Sequence, residues 1–200
     1  MAKYKAVEVH YFSDASVGGY GQCCYLRLIN ELDQAHCSFI VGKARVTPLK
    51  HKTIPRLELA AATTSARMSE FVRNEWEYPE MKEFFWADSR VVLGYINNEA
   101  KRFHVYVANR VQQIRDLTNP NAWFYVDTNN NPADEASRGL TAKQLEKVWL
   151  TGPEFLWRSG PCEPENEELP RLQDSDPEGK KVSVLTTKSE VLLHFQINLK

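Results

Sequence analysis

The chain has 200 residues, 42% of them apolar, and a formal charge of −1. That suits one domain of ordinary size plus an extension, with apolar content enough for a core. No run of about 18 apolar residues occurs, so no membrane span is expected. "MAKYKAVEVHYF" lacks the apolar stretch and small-residue cleavage site of a signal peptide. The cysteines, Cys23, Cys24, Cys37 and Cys162, form no C-x-x-C pair, so neither a zinc site nor a disulfide framework is expected. An intracellular compartment, cytoplasmic or nuclear, is the expectation.

In chain order, "VEVHYFSDAS" is rich in β-branched and aromatic residues and predicts a strand. "QCCYLRLIN" and "AHCSFIVGKARV" predict two more, with Cys23 and Cys24 on opposite faces. Short connections make these three an antiparallel meander. A long helix follows Pro55, with Leu57, Ala61, Thr64, Met68 and Phe71 as its expected buried stripe and Glu58 in its first turn. "EFFWADS" predicts a fourth strand and "RVVLGYIN" a helix. "RFHVYVANRVQQIRDL" puts Phe103, Val107, Val111, Ile114 and Leu117 on one helical face, and "AWFYVDT" predicts a fifth strand. "NNNPADEASRG" reads as a capped helix start with Gly139 as its C-cap, and "TAKQLEKVWL" as a short amphipathic helix. Antiparallel strands followed by strand–helix alternation imply an α/β fold with a mixed sheet flanked by helices.

Sites in such sheets gather at strand ends. Asp14 ends the first strand's apolar run, Asp88 ends the fourth strand, Asp134 opens the helix after the fifth, and Glu58 sits near the start of the long helix. Singly, each has a structural reading: Glu58 can complement the helix dipole and Asp88 can be an N-cap. Together they are better explained as a metal-binding cluster. Four converging carboxylates repel unless cations compensate, and two divalent ions, Mg2+ or Mn2+, match their charge and hard oxygen ligands. Two such ions can activate water and stabilise the leaving oxygen of a phosphoryl displacement.

The set "YFSDAS", "IPRLEL", "FFWADS" and "NPADEASRG" resembles the ribonuclease H domain of retroelement polyproteins. "KARVTPLKHKTIPRLELAA", "RFHVYVANRV" and "NPADEASRGL" resemble the BEL/Pao class of long-terminal-repeat retrotransposons, over roughly residues 7 to 157. The resemblance implies a ribonuclease H-like mixed five-stranded sheet, three antiparallel strands first. It implies Asp14, Glu58, Asp88 and Asp134 as metal-binding catalytic carboxylates. It further implies endonucleolytic cleavage of the RNA strand of an RNA–DNA hybrid, with reverse transcriptase and integrase modules as polyprotein partners. One departure is plain: many ribonucleases H carry a histidine in the loop after the fifth strand, whereas "VDTNNNPAD" has none.

A hybrid is held by shape and backbone. The candidates for that role are Ser13, Ser16, Lys43, Arg45, Lys50, Lys52, Arg56, Asn109 and Arg138. The basic stretch 43–56 runs straight into the helix of Glu58, although a solvated loop and, for Arg138, a structural pair with Asp134 are the alternatives. Residues 1–160 hold 20 Lys/Arg against 18 Asp/Glu, and residues 161–200 hold 5 against 8. The expected organisation is a domain over 1–160, an exposed acidic, proline-rich linker over 161–181, and a tail over 182–200. A catalytically inactive nucleic-acid-binding remnant is the alternative function. An aspartic protease is disfavoured, because "DAS" and "ADS" lack the glycine of an Asp-Thr/Ser-Gly turn.

Overall fold

The computed structural model describes residues 4–50, 52–76, 80–141, 149–164, 169, 172–173 and 175–180. The helix expected over "TAKQLEKVWL" falls mostly, and the tail over 182–200 wholly, outside these described residues.

Three long strands come first: β1 (Tyr4–Ala15), β2 (Gly19–Asn30) and β3 (Ala35–Val46). Helix α1 (Ile54–Glu75) leads to β4 (Lys82–Ala87), α2 (Arg90–Asn97), α3 (Val105–Leu117), the short β5 (Trp123–Tyr125) and α4 (Ala133–Arg138). The sheet order is β3-β2-β1-β4-β5. Pairing is antiparallel from β1 to β3 and parallel from β1 through β4 to β5. The expected mixed five-stranded sheet with its antiparallel opening is therefore present.

β1 is central and covered on both faces, so Val7–Ala15 is an unbroken buried run, as an interior strand allows. Val9 and Tyr11 pack with Cys24, Leu59, Ala62, Phe85 and Ile114 under α1 and α3. Phe12 packs with Cys23, Tyr25, Trp86, Ala133 and Leu156 on the other face. Cys23 and Cys24 thus part to opposite faces, as two-residue periodicity requires.

Of the expected α1 stripe, Leu57 and Ala61 are buried and Met68 packs against the core, but the buried face extends beyond it. Phe71 is exposed, while Leu59, Ala62, Ala66, Ser69 and Val72 meet the sheet and α3. Small residues let α1 approach the sheet closely, and that outweighed the burial of one aromatic ring. The fifth strand is shorter than expected, because after Tyr125 the chain turns into a loop that folds on its own Asx contacts.

The second face carries a buried ionic network. Glu8, His10 and Arg27 are essentially inaccessible. Arg27 Nη1 donates to Glu8 Oε2 at 2.6 Å, and Arg27 also donates to the carbonyls of Leu156, Arg158 and Gly160. The Cys162 N–H donates to Glu8 Oε1 at 3.0 Å. Trp86 Nε1 donates to His10 Nδ1 at 3.1 Å, which assigns the His10 proton to Nε2, facing Glu8. One arginine on β2 therefore ties residues 156–162 to the sheet.

Within the expected linker over 161–181, the described residues are exposed at 161, 163, 173, 175, 177 and 180, but others dock. Leu169 and Leu172 pack against the main core, Glu178 is buried, and Gly179 bridges to Phe103. Acidic, proline-rich composition suggested solvent exposure, but Glu8 takes the Cys162 N–H, Lys101 donates to the Leu172 carbonyl, and Arg56 pairs with Glu178.

Removing Arg27 leaves the buried Glu8 without its cation, held by the Cys162 N–H and His10. Arg27→Met is expected to lose about 3–5 kcal/mol of stability in urea denaturation, and the double variant with Glu8→Gln to recover part of it. A loss under about 1 kcal/mol would mean that the network does not hold the C-terminal segment.

Candidate active site

Four elements bring the four acids to one end of the sheet. Asp14 lies on β1, opposite Gly21 of β2. A Cβ on Gly21 would come within 2.9 Å of Ala136, and one on Gly19 within 2.9 Å of the Ser137 carbonyl. Two glycines thus let α4 sit directly on β2, which delivers Ser137 to Asp14. Asn131 fixes the approach to α4: its Nδ2 donates to the Ser13 carbonyl at 3.1 Å, and its Oδ1 accepts the Ala133 N–H at 3.2 Å. Gly139 ends α4 at a φ of 87°, the expected C-cap.

Both structural readings of the other acids give way. α1 begins at Ile54 with Pro55 in its opening positions and no acid in its first turn, so Glu58 lies a turn deeper than expected. The N-cap of α2 is Ser89, not Asp88; its hydroxyl accepts the Val92 N–H and donates to Glu58 Oε2 at 2.6 Å.

Each acid has a side-chain partner among the described residues. Ser137 donates a short hydrogen bond to Asp14, Ser89 to Glu58, and Thr128 to Asp88 at 3.0 Å, while Arg138 Nε meets Asp134 at 2.7 Å. Burial pushes the Asp14 carboxyl up to about 6; the Ser137 bond opposes this and the charges of Asp88 and Asp134 reinforce it. Burial likewise pushes Glu58 up to about 7, opposed by Ser89 and reinforced by Asp88 and Asp14. Asp14 thus feels the charges of Asp88 and Asp134, and Glu58 those of Asp88 and Asp14. Hard oxygen donors with repelling charges suit a divalent cation. Yet among the described residues no three His, Cys, Asp or Glu side chains stand close enough together to hold an ion as they are. The acids form an electrostatic cluster whose members are tied to hydroxyls and an arginine, not a closed coordination shell.

The other candidate residues divide. Ser13 is buried and its hydroxyl donates to the Trp86 carbonyl, so it serves the sheet and does not face a substrate. Ser16 donates to the Ser137 carbonyl at 2.8 Å and accepts the Gly18 and Gly19 N–H groups, pinning the β1–β2 turn to α4. Lys43, Arg45 and Lys50 are exposed. Lys43 and Arg45 pair with Gln22 and Tyr20, which places them near the Asp14 end of the sheet. Lys52 and Arg56 gather instead around Tyr106 of α3, and Arg56 is engaged by Glu178. Asn109 is exposed on α3. Arg138 takes the structural pairing with Asp134. A groove of about 450 Å³ runs beside Asp134 between residues 128–132 and 151–154. Ser89, Thr128 and Ser137 were missed as partners of the acids; each lies within three residues of an acid in sequence, the one signal available.

Strand order, crossovers and helices make this a ribonuclease H-like fold. Residues 1–89 match the family model described as the Pao retrotransposon-like RNaseH-like domain. The match includes Asp14, Glu58 and Asp88 and stops short of Asp134. No curated protein matches the chain. Similar solved structures include RNase H1 from the halophilic archaeon Halobacterium salinarum NRC-1, 11% identical with a TM-score of 0.42, over 66% of this chain and 96% of that one. The N-terminal RNase H domain of a Mycobacterium tuberculosis protein, fused to maltose-binding protein, has the same identity and TM-score over 66% and 95%. LC11-RNase H1 in complex with RNA/DNA hybrid is 12% identical, with a TM-score of 0.44, over 70% and 99%.

The raised carboxyls set a pH dependence. Asp14 moves from 3.8 to about 6 and Glu58 from 4.5 to about 7, so between these limits the folded chain keeps protons that the unfolded chain has lost. Stability from this pair therefore falls as pH rises from about 4 to 7. His10, held neutral chiefly by burial, gives the opposite slope below 6.5 and cancels in a comparison of variants. Asp14→Asn is expected to gain on wild type across this range, reaching about 1–3 kcal/mol at pH 7. A stability difference that does not change with pH, measured by chemical denaturation without divalent ions, would contradict the buried repulsion.

Proposed function

We propose that this chain is a divalent-metal-dependent endonuclease that cuts the RNA strand of RNA–DNA hybrids, and that it derives from a retrotransposon polyprotein. The observation that carries this reading is the convergence of Asp14, Glu58, Asp88 and Asp134, from four separate elements, on one end of the sheet, with Asp14 and Glu58 raised by burial and by their neighbours.

The four carboxylates would hold Mg2+ or Mn2+. When bound, the metal would lower the pKa of water and offset charge on the phosphodiester. The protein's own residues do the rest. Ser137, Ser89 and Thr128 aim three of the acids in the absence of metal, and Arg138 holds the fourth. Thr128 occupies the loop where a histidine was absent, and its hydroxyl is on Asp88. Lys43, Arg45 and Lys50 attract backbone phosphates without reading sequence. Preference for RNA rests on the 2′-hydroxyls in the wide minor groove of an A-like duplex. Reverse transcriptase and integrase modules are the expected polyprotein partners.

The alternative reading is binding without cleavage, by an inactive remnant of the same domain. A single assay separates the two. With magnesium, wild type is expected to cleave labelled RNA in a hybrid and to leave DNA duplex of the same sequence intact. Asp88→Asn, folded by circular dichroism, is expected to lose at least a hundredfold in rate, about 2.7 kcal/mol of transition-state stabilisation. Binding with no cleavage by wild type supports the second reading, and equal cutting of DNA duplex removes the ribonuclease assignment.

A further inference from the structure

We infer that the acidic turn Asp176–Glu178 is a built-in occupant of the cationic surface between α1 and α3, which a nucleic-acid strand must displace. The inference rests on the nuclease reading and adds to it a competitor carried by the same chain.

The surface centres on Tyr106. Lys52 Nζ lies 4.7 Å, the Arg56 guanidinium 5.2 Å and the Arg110 guanidinium 3.6 Å from the centre of its ring. Cations favour the ring face, but three of them around one ring repel one another and call for an anion. Glu178 supplies it. Arg56 Nε donates to Glu178 Oε1 at 2.6 Å and Nη2 to Oε2 at 2.9 Å. This two-pronged geometry fits a carboxylate and a phosphate alike.

The turn is shaped for the task. Asp176 accepts from the Tyr95 hydroxyl through both oxygens at 3.1 Å, and its Oδ1 also accepts the Glu178 N–H at 2.8 Å. Glu178 is only 4% exposed. The backbone fastening is small: the His104 N–H donates to the Glu178 carbonyl and the Lys180 N–H to the Arg102 carbonyl. A short turn with two backbone bonds can be released without unfolding the sheet.

Place and charge supply the function. Arg56 and Glu58 share the N-terminal part of α1 but face different sides of it, so a strand whose phosphodiester reaches the acids passes the start of this helix and turns around it to meet Arg56. The carboxylates of Asp176 and Glu178 repel its phosphates and already fill the arginine fork. Asp176 and Glu178 thus lower affinity for the substrate that residues 43–56 attract.

The test uses the full chain with Glu178→Gln, which keeps size and removes charge; Asp176→Asn serves if the first variant fails to fold. Binding of a fluorescent RNA–DNA hybrid is measured by anisotropy at several salt concentrations without divalent ions. Amide exchange at His104 and Lys180 is followed in wild type as hybrid is added. The expected result is binding about fivefold tighter in the variant, the lower end of ordinary coupling between competing ligands. A salt slope steeper by about one is also expected, for one added phosphate contact. Hybrid should speed exchange at both amides in wild type. Equal or weaker binding by the variant, or unchanged exchange at saturating hybrid, overturns the inference and leaves the nuclease reading intact. If neither protein binds hybrid, the nuclease reading itself fails and the inference falls with it.

Discussion

Four carboxylates share one end of a sheet, and their mutual repulsion is the constraint on which the rest of the site depends. Burial makes that repulsion costly, because a desolvated charge is poorly screened. The fold answers with a partner for each acid. Glycines at 19 and 21 admit α4 so that Ser137 reaches Asp14. Ser89 caps α2 and binds Glu58 with the same hydroxyl. The loop after β5 turns on Asp127 and presents Thr128 to Asp88. These bonds reduce the cost of the cluster without cancelling its charge, and the remainder is what a hard cation would offset.

The C-terminal part of the chain is the second organising element. On one face Arg27 reaches three carbonyls between residues 156 and 160, and the buried Glu8 balances it. On the other face Arg56 meets Glu178. Both contacts use a guanidinium, whose several fixed donors can satisfy carboxylate and carbonyl oxygens together. The two differ in exposure: Arg27 is almost inaccessible, and Arg56 keeps about a third of its side chain in solvent. The first contact belongs to the core, whereas the second lies where a competing anion can arrive.

Much of this was legible in the sequence. Periodicity and turn residues marked all five strands and helices α1 to α4, and Asp14, Asp88 and Asp134 stood at the predicted element ends, whereas Glu58 lay deeper in α1. The full buried face of α1 was not legible, because "LELAAATTSARMSEF" offers two faces. The close-packing small residues prevailed over Phe71. Ser13 looked available beside Asp14, but alternation along a strand buried on both sides turned it into the sheet. The docking of Leu172, Asp176 and Glu178 was hidden for a different reason: their partners, Lys101, Tyr95 and Arg56, lie 71, 81 and 122 residues away, and composition carries no sign of such pairings.

The most direct measurement of the central claim is the melting temperature of the metal-free chain as magnesium is added at pH 7, in wild type and in the Asp14→Asn, Glu58→Gln double variant. If the four acids act as one cation-seeking cluster, wild type gains stability with magnesium, by roughly 1.4 kcal/mol at about ten times the dissociation constant. The double variant, with two charges removed, gains little. A wild-type melting curve that stays unchanged from micromolar to tens of millimolar magnesium would contradict the cluster.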